Sequence, residues 1–237
     1  MTLEPSIGAF YSCYKRPKAV ESALSSFRSF YPNSTIYMVS DGGDDLSMLA
    51  QKYNAKFTME QHAGNGTSTV FSDSEKMLVW FRRLYKAAEA IQEDYIVILE
   101  DDVLTLGRVR EQLKFIVNGI NPNVKIGRRL TLFLKLCGAR IQILGFNQPF
   151  GGFGGCIFDR RFILGNFKNL ENDVKKLYSV MKENVYSTDI WSTIITLYHG
   201  GTVGPYKGLC EKWYPDYEKR RKKGDISFLH QYKDLYI

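Results

Sequence analysis

Three consecutive acidic residues, Glu100, Asp101 and Asp102, carry the strongest chemical signal in the chain. They directly follow the apolar segment DYIVIL, residues 94–99, which is typical of a central strand. Side chains alternate along an extended chain, so Glu100 and Asp102 should project to one side and Asp101 to the other. Carboxylates this close repel each other, and a divalent cation such as Mg²⁺ or Mn²⁺ would remove the repulsion and also accept phosphate oxygens. The alternative is a solvated acidic turn.

The elements before this acidic block alternate between strands and helices. Strands are predicted at 6–14, 35–39, 55–60 and 94–99, and helices at 17–30, 45–53 and from 73 or 74 to 91. This order predicts an α/β fold with a largely parallel, doubly wound sheet and helices on both faces. Ligands of such sheets bind beyond the carboxyl ends of the strands, which is where the acidic block lies.

The second half of the chain follows a different pattern. Strands are predicted at 130–136 and 140–146, and a glycine-rich segment at 151–155 runs into a further strand. Helices are predicted at 160–167, 171–183 and 188–198, and residues from 200 onward have few periodic signals. We expect one domain, 1–237, because no internal repeat and no long linker is evident.

Composition and charge limit the classes of partner. The 237 residues include 32 basic and 25 acidic side chains, for a net charge of +7, which favours an anionic partner. Five basic residues form one block, Lys219–Lys223, which is either a solvated face or a contact with an acidic membrane surface. We expect no nucleic-acid partner, because the basic residues do not alternate with aromatic residues in a known motif.

The cysteines and the amino-terminal residues indicate the compartment. Cys13, Cys137, Cys156 and Cys210 form no CxxC pair, so we expect buried, reduced thiols rather than a zinc or dithiol site. No apolar run approaches the roughly 20 residues that span a bilayer, and no signal-peptide pattern is visible. These features predict a cytoplasmic protein.

Several other segments contain candidate functional residues, each with a structural alternative. Arg16, after the first strand, could pair with a phosphate or simply lie at a helix entry. Asp41 could accept a hydrogen bond from a ribose or a base, or could be a turn residue. Asp189 could act as a general base or favour its helix as an N-terminal charge. His230 could reach a metal or lie on the surface.

Taken in order, these segments resemble the GT-A class of glycosyltransferases. The resemblance rests on SCYKRP at 12–17, Asp41 after the second strand, ILEDDV at 98–103, and the glycine-rich segment followed by Asp189. It spans residues 7–198, and ILEDDV is its most specific motif. It implies two abutting βαβ halves with a mixed, mostly parallel, Rossmann-related sheet. On this basis 1–103 would be a nucleotide-binding half, 104–199 an acceptor-side half and 200–237 a basic C-terminal tail.

The same resemblance implies roles for individual residues. Asp102 and Glu100 would bind Mn²⁺ or Mg²⁺, and Asp189 would be the catalytic base of an inverting enzyme, with Asp159 as a second candidate. A retaining route stays open if no base lies there. The residues implied to bind a nucleotide-diphosphate sugar, with UDP favoured, are Ser12, Cys13, Tyr14, Arg16, Asp41, Lys76, Asp101 and Gly154.

The resulting expectation is a hexosyl- or pentosyltransferase that acts on a hydroxyl of a glycan, a lipid-linked acceptor or a protein. Two alternatives remain. A sugar-phosphate nucleotidylyltransferase would normally have a glycine-rich, basic segment after its first strand, and Tyr11–Tyr14 contains no glycine. A non-catalytic nucleotide- or glycan-binding module on the same scaffold would not hydrolyse the donor in a metal-dependent manner.

Overall fold

A computed structural model describes residues 4–62, 74–119, 132, 135–136, 154–180 and 188–231. The predicted alternation of strands and helices is confirmed in its first half, which contains β1 (Ile7–Cys13), α1 (Pro17–Phe30), β2 (Ile36–Asp41), α2 (Ser47–Lys52), β3 (Lys56–Glu60), α3 (Ser74–Ala90) and β4 (Tyr95–Leu99). The rest contains β5 (Val103–Thr105), β6 (Val117–Asn118), β7 (Ile157–Asp159), α4 (Arg160–Asn166), α5 (Glu171–Val180), α6 (Thr188–Tyr198), β8 (Val203–Gly204), β9 (Leu209–Glu211), α7 (Tyr217–Lys223) and β10 (Phe228–His230).

The main sheet has seven strands in the order β3-β2-β1-β4-β7-β6-β8. Strands β1 to β4 pair in parallel, β7 is antiparallel to both β4 and β6, and β8 is parallel to β6. This mixed, mostly parallel sheet flanked by helices is the GT-A-like, Rossmann-related fold that the sequence predicts.

Burial of apolar side chains explains why the central strands and their helices form. Every residue of β2 is buried, and β4 is buried from Ile96 to Leu99. Helix α1 presents Val20, Leu24 and Phe27 to the core at helical spacing. Pro17 occupies the first position of α1, where the missing N–H costs nothing.

A second, three-stranded sheet contains the end of the described chain. Its order is β5-β10-β9, with β10 antiparallel to β5 and parallel to β9. The segment from residue 200, which was expected to be a basic C-terminal tail, therefore folds back onto β5, the strand that follows the acidic block. The basic run 219–223 lies on helix α7, where Lys219, Arg221, Lys222 and Lys223 are exposed.

Part of the second-half prediction is wrong. Residues 132 and 135–136, which were expected in a strand, are helical. Apolar runs of this length fit either element, and periodicity alone cannot separate them. The remainder of that segment and the predicted strand at 140–146 lie outside the described residues. Within the described ranges, no helix is long and apolar enough to cross a membrane.

Candidate metal and nucleotide site

The parallel register brings the ends of the central strands to one edge of the sheet. Tyr11 on β1 lies beside Leu99, the last residue of β4, so the acidic block begins next to the last two residues of β1. The Tyr11 hydroxyl donates a hydrogen bond of 2.8 Å to Oδ1 of Asp101. Burial, followed by the charge of Asp101, raises the pKa of Tyr11, which keeps the hydroxyl protonated as a donor. This bond ties the middle residue of the acidic block to the first strand.

The other two acidic residues meet His230. Its Nε2 lies 3.5 Å from Oδ2 of Asp102 and 3.9 Å from Oε2 of Glu100. Strand β10 positions the imidazole because His230 pairs with Val103 on β5, directly after Asp102. The backbone N–H of Gln231 then donates to the carbonyl of Asp102 over 2.9 Å.

The three side chains of the cluster differ in their exposure to solvent. The Glu100 side chain is 35% exposed, His230 16% and Asp102 3%. Burial alone would lower the pKa of His230, but the nearby carboxylates of Asp102, Glu211 and Glu100 raise it to about 10. The imidazole therefore acts as the counter-ion of the acidic residues when no other cation is bound.

This donor set fits a divalent cation. One ligand atom from each of Glu100, Asp102 and His230 can be chosen so that all three lie within 4.8 Å of one another. Two carboxylates suit Mg²⁺ and Mn²⁺, and the imidazole favours Mn²⁺ of the two, since nitrogen ligands prefer transition metals. The sequence predicted the two carboxylates, whereas His230 was left open between a metal ligand and a surface residue.

The loop after β1 lies against the loop after β2. The backbone N–H of Asp44 donates to the carbonyl of Tyr14 over 2.8 Å, and a Cβ on Gly43 would lie 1.3 Å from that oxygen. Only glycine allows this approach, so the SDGG sequence at 40–43 has a structural explanation. Arg16 is exposed and has left-handed backbone angles at the start of α1. The hydroxyl of Ser12 is buried and makes no hydrogen bond within the described residues.

Asp41 lies at this edge but is fully buried. Its Oδ1 lies 2.7 Å from Nη1 of Arg83, which is itself 1% exposed, and its Oδ2 lies 3.1 Å from Nδ1 of His62. Arg83 also contacts Glu60 at the end of β3 over 2.9 Å. The His62 ring in turn packs on the Tyr14 ring at 4.7 Å. Both carboxylate oxygens of Asp41 therefore face protein cations inside the fold rather than the surface where a ribose or a base would lie.

Gly154 and Gly155, the two described residues of the glycine-rich segment, lie next to the acidic block. A Cβ on Gly154 would lie 2.5 Å from Val103 and 3.1 Å from the Glu100 carboxyl carbon. Gly155 donates to the carbonyl of Ile98 over 2.8 Å and has a positive φ of 86°. Gly154 is thus placed next to a predicted metal ligand.

The remaining predicted residues lie in different places. Lys76 is exposed on the first turn of α3, and Cys13 is buried with its thiol donating to the carbonyl of Val39. Asp189 lies in the first turn of α6, and its side chain lies outside the described residues. Asp159 pairs with Tyr95 at the opposite end of β4, and its carboxylate caps α4 at Phe162 N. The structure therefore places Asp159 as a helix N-cap, away from the acidic block.

Sequence reasoning missed Tyr11, His62, Arg83 and Glu211, and it did not commit His230 to the site. The helical spacing could have identified Arg83 as a buried cation. It lies three residues after Trp80 and four before Ala87, both buried, so it belongs to the buried face of α3. The position of His230 depends on strand pairing over more than a hundred residues, and no local pattern encodes that.

Comparisons with known proteins show a similarity of fold but no similarity of sequence. No protein-family model matches the chain, and no curated protein sequence matches it. The structure is similar to a crystal structure of an active-site mutant of LgtC, with a TM-score of 0.58 and 10% sequence identity. The similarity covers 94% of this chain and 86% of that one. LgtC is a GT-A glycosyltransferase, so the chain resembles glycosyltransferases at the level of the fold.

Proposed function

We propose that the protein is a metal-dependent glycosyltransferase that uses a nucleotide-diphosphate sugar as donor. The observation that carries this proposal is the convergence of Glu100, Asp102 and His230 at the sheet edge where β1 and β2 also end. The fold-level similarity to LgtC supports the same class of reaction. Among donors, we favour a UDP-sugar, and among metals Mn²⁺.

Glu100, Asp102 and His230 would hold the metal. When bound, a divalent cation stabilises the negative charge that grows on the diphosphate leaving group. Asp102 is the central ligand because it is the most buried of the three and its backbone is fixed by Gln231. Glu100, at 35% exposure, borders the open side from which a diphosphate would approach.

The chain's own residues would bind the nucleotide on the side of β1 and β2. The buried Ser12 hydroxyl offers a donor and an acceptor to a ligand at this edge. Arg16 and Lys76 are exposed cations at the starts of α1 and α3, where they can pair with phosphate oxygens. Tyr11 orients Asp101, and Arg83 holds the ends of β2 and β3 together.

The acceptor would lie on the side of the glycine-rich segment. Gly154 packs so closely on Val103 and Glu100 that a Cβ there would clash, which keeps the backbone at this position beside a proposed metal ligand. Asp189 remains our proposed general base, which would take the proton from the acceptor hydroxyl as that oxygen attacks the sugar carbon. The acceptor is a hydroxyl of a glycan, a lipid-linked acceptor or a protein.

Helix α7 is a proposed contact with an acidic membrane surface that carries such an acceptor. Four of its basic side chains, Lys219, Arg221, Lys222 and Lys223, are exposed. Arg220 instead donates to the carbonyl of Leu209 over 3.0 Å. Each exposed cation would contribute about 1 kcal/mol at an anionic surface.

The test of the proposed function is donor turnover. The full chain is incubated with UDP-, GDP- and dTDP-sugars and CMP-sugars, with Mn²⁺ or with EDTA, and the released nucleotide is measured. We expect Mn²⁺-dependent release from one donor class, a loss of at least about 100-fold in Asp102→Asn, and unchanged release in Asp225→Asn, which alters an exposed aspartate elsewhere. Release that is equal in Asp102→Asn and in the wild type would contradict the proposal.

A further inference from the structure

Glu211 is a buried carboxylate that lies behind His230. Its side chain is 1% exposed. The parallel pairing of β9 and β10 places Glu211 beside His230, so the two side chains leave the same face of the small sheet. Oε1 of Glu211 lies 4.0 Å from Nδ1 of His230, whereas Nε2 faces Asp102 and Glu100. The two ring nitrogens therefore face carboxylates on opposite sides.

Among the described residues, the buried carboxylate of Glu211 has His230 as its ion-pair partner. A buried carboxylate is costly unless a cation or hydrogen bonds compensate for the lost water. Within the described residues its Oε2 accepts no hydrogen bond, and the ion pair it makes there is with His230. A carboxylate kept in such a place is better explained by the imidazole than by the stability of the fold.

We propose that Glu211 is a positioning residue for the metal ligand His230. In the metal-bound protein its carboxylate accepts the Nδ1 proton and so keeps the tautomer whose Nε2 lone pair faces Glu100 and Asp102. A movement of roughly 1 Å brings the present contact to ordinary hydrogen-bond length. Metal-binding histidines commonly donate their second ring N–H to a carboxylate, which fixes the ring and makes it a better ligand. This inference rests on the proposed metal site and adds a residue that does not touch the metal.

The experiment measures Mn²⁺ affinity without nucleotide and without turnover. The full chain is titrated with Mn²⁺, and the free ion is followed by its electron paramagnetic resonance signal up to millimolar concentrations. We expect Glu211→Ala to weaken binding about 10- to 100-fold. Glu211→Gln should lose less, because its amide oxygen still accepts the Nδ1 proton. The control Glu111→Ala removes the same charge from an exposed position and should stay within about twofold of the wild type.

A double-mutant cycle separates positioning from a direct effect. In a His230→Ala background, Glu211→Ala should have no further effect on Mn²⁺ affinity, because the residue through which it acts is gone. The same fold-loss in that background would overturn the inference, since it would show that Glu211 acts through its charge or through the fold. If Glu211→Ala does not fold, Glu211→Gln completes the same cycle.

The outcomes also separate this inference from the proposed function. A wild type that binds no Mn²⁺ would contradict both. A wild type that binds Mn²⁺, with Glu211→Ala binding equally well, would contradict the role of Glu211 alone.

Discussion

Replacing Arg83 with methionine removes the cation that neutralises the buried carboxylate of Asp41 at the end of β2. Arg83 is 1% exposed and Asp41 is fully buried, and their closest atoms are 2.7 Å apart. Removing one partner of a buried pair typically costs about 3–5 kcal/mol, because the other charge stays buried. His62, half exposed and 3.1 Å from Asp41, offsets part of this cost. We therefore expect Arg83→Met to lower the free energy of unfolding by about 3 kcal/mol.

The neighbouring residue provides a matched control. Arg82 lies on the same helix and pairs with Glu171, but their side chains are 48% and 58% exposed. Exposed pairs contribute about 0–1 kcal/mol, so Arg82→Met should change the free energy of unfolding by no more than that. Both variants are measured by urea unfolding followed by circular dichroism.

A second substitution tests the cause. Adding Asp41→Asn to Arg83→Met removes the buried charge, so the double variant should be more stable than the sum of the two single losses by at least about 1 kcal/mol. Strictly additive losses, or a loss in Arg83→Met no larger than in Arg82→Met, would refute the explanation from a buried ion pair.

Four further predictions concern two glycines, a buried thiol and the basic helix α7. Gly43→Ala places a Cβ 1.3 Å from the Tyr14 carbonyl and should cost about 1–3 kcal/mol of unfolding free energy. In the same urea assay Gly165→Ala, in a helix with open space around it, should gain about 0.5–1 kcal/mol, and a loss there would contradict the argument. Burial raises the pKa of the Cys13 thiol, so iodoacetamide should leave Cys13 unmodified until denaturant is added, as mapped by mass spectrometry. A last variant neutralises the exposed basic residues of 219–223 and keeps Arg220, which donates to backbone carbonyls. It should no longer sediment with anionic vesicles, and its unfolding midpoint should be unchanged. Sedimentation equal to that of the wild type would contradict the proposed membrane contact.

The first half of the fold could be predicted because its elements carry strong local patterns. The apolar strand Tyr95–Leu99 and the periodic helix Pro17–Phe30 each bury one defined surface, and alternating strands and helices favour a parallel sheet. The short strands β5, β8, β9 and β10 have two or three residues each, too few for a period to be visible. Their pairing depends on the tertiary fold.

Only part of the candidate site could be predicted from the sequence, for the same reason. Glu100 and Asp102 could be placed from sequence because they follow a recognisable strand. His230 and Glu211 could not, because β9 and β10 bring them to the acidic block from more than a hundred residues away. The ion pair between Asp41 and Arg83 could not be predicted from local sequence patterns either, because it forms only when α3 packs across the ends of β2 and β3.

Calorimetry of nucleotide binding tests the proposed metal and nucleotide site most directly. UDP, GDP, CMP and dTDP are each titrated into the wild type and into Asp102→Ala, with and without Mn²⁺. The proposed site predicts that one nucleotide, with UDP favoured, binds the wild type only when Mn²⁺ is present, and that Asp102→Ala loses this binding. Absence of binding by every nucleotide, or equal Mn²⁺-dependent binding by Asp102→Ala, would contradict the proposed site.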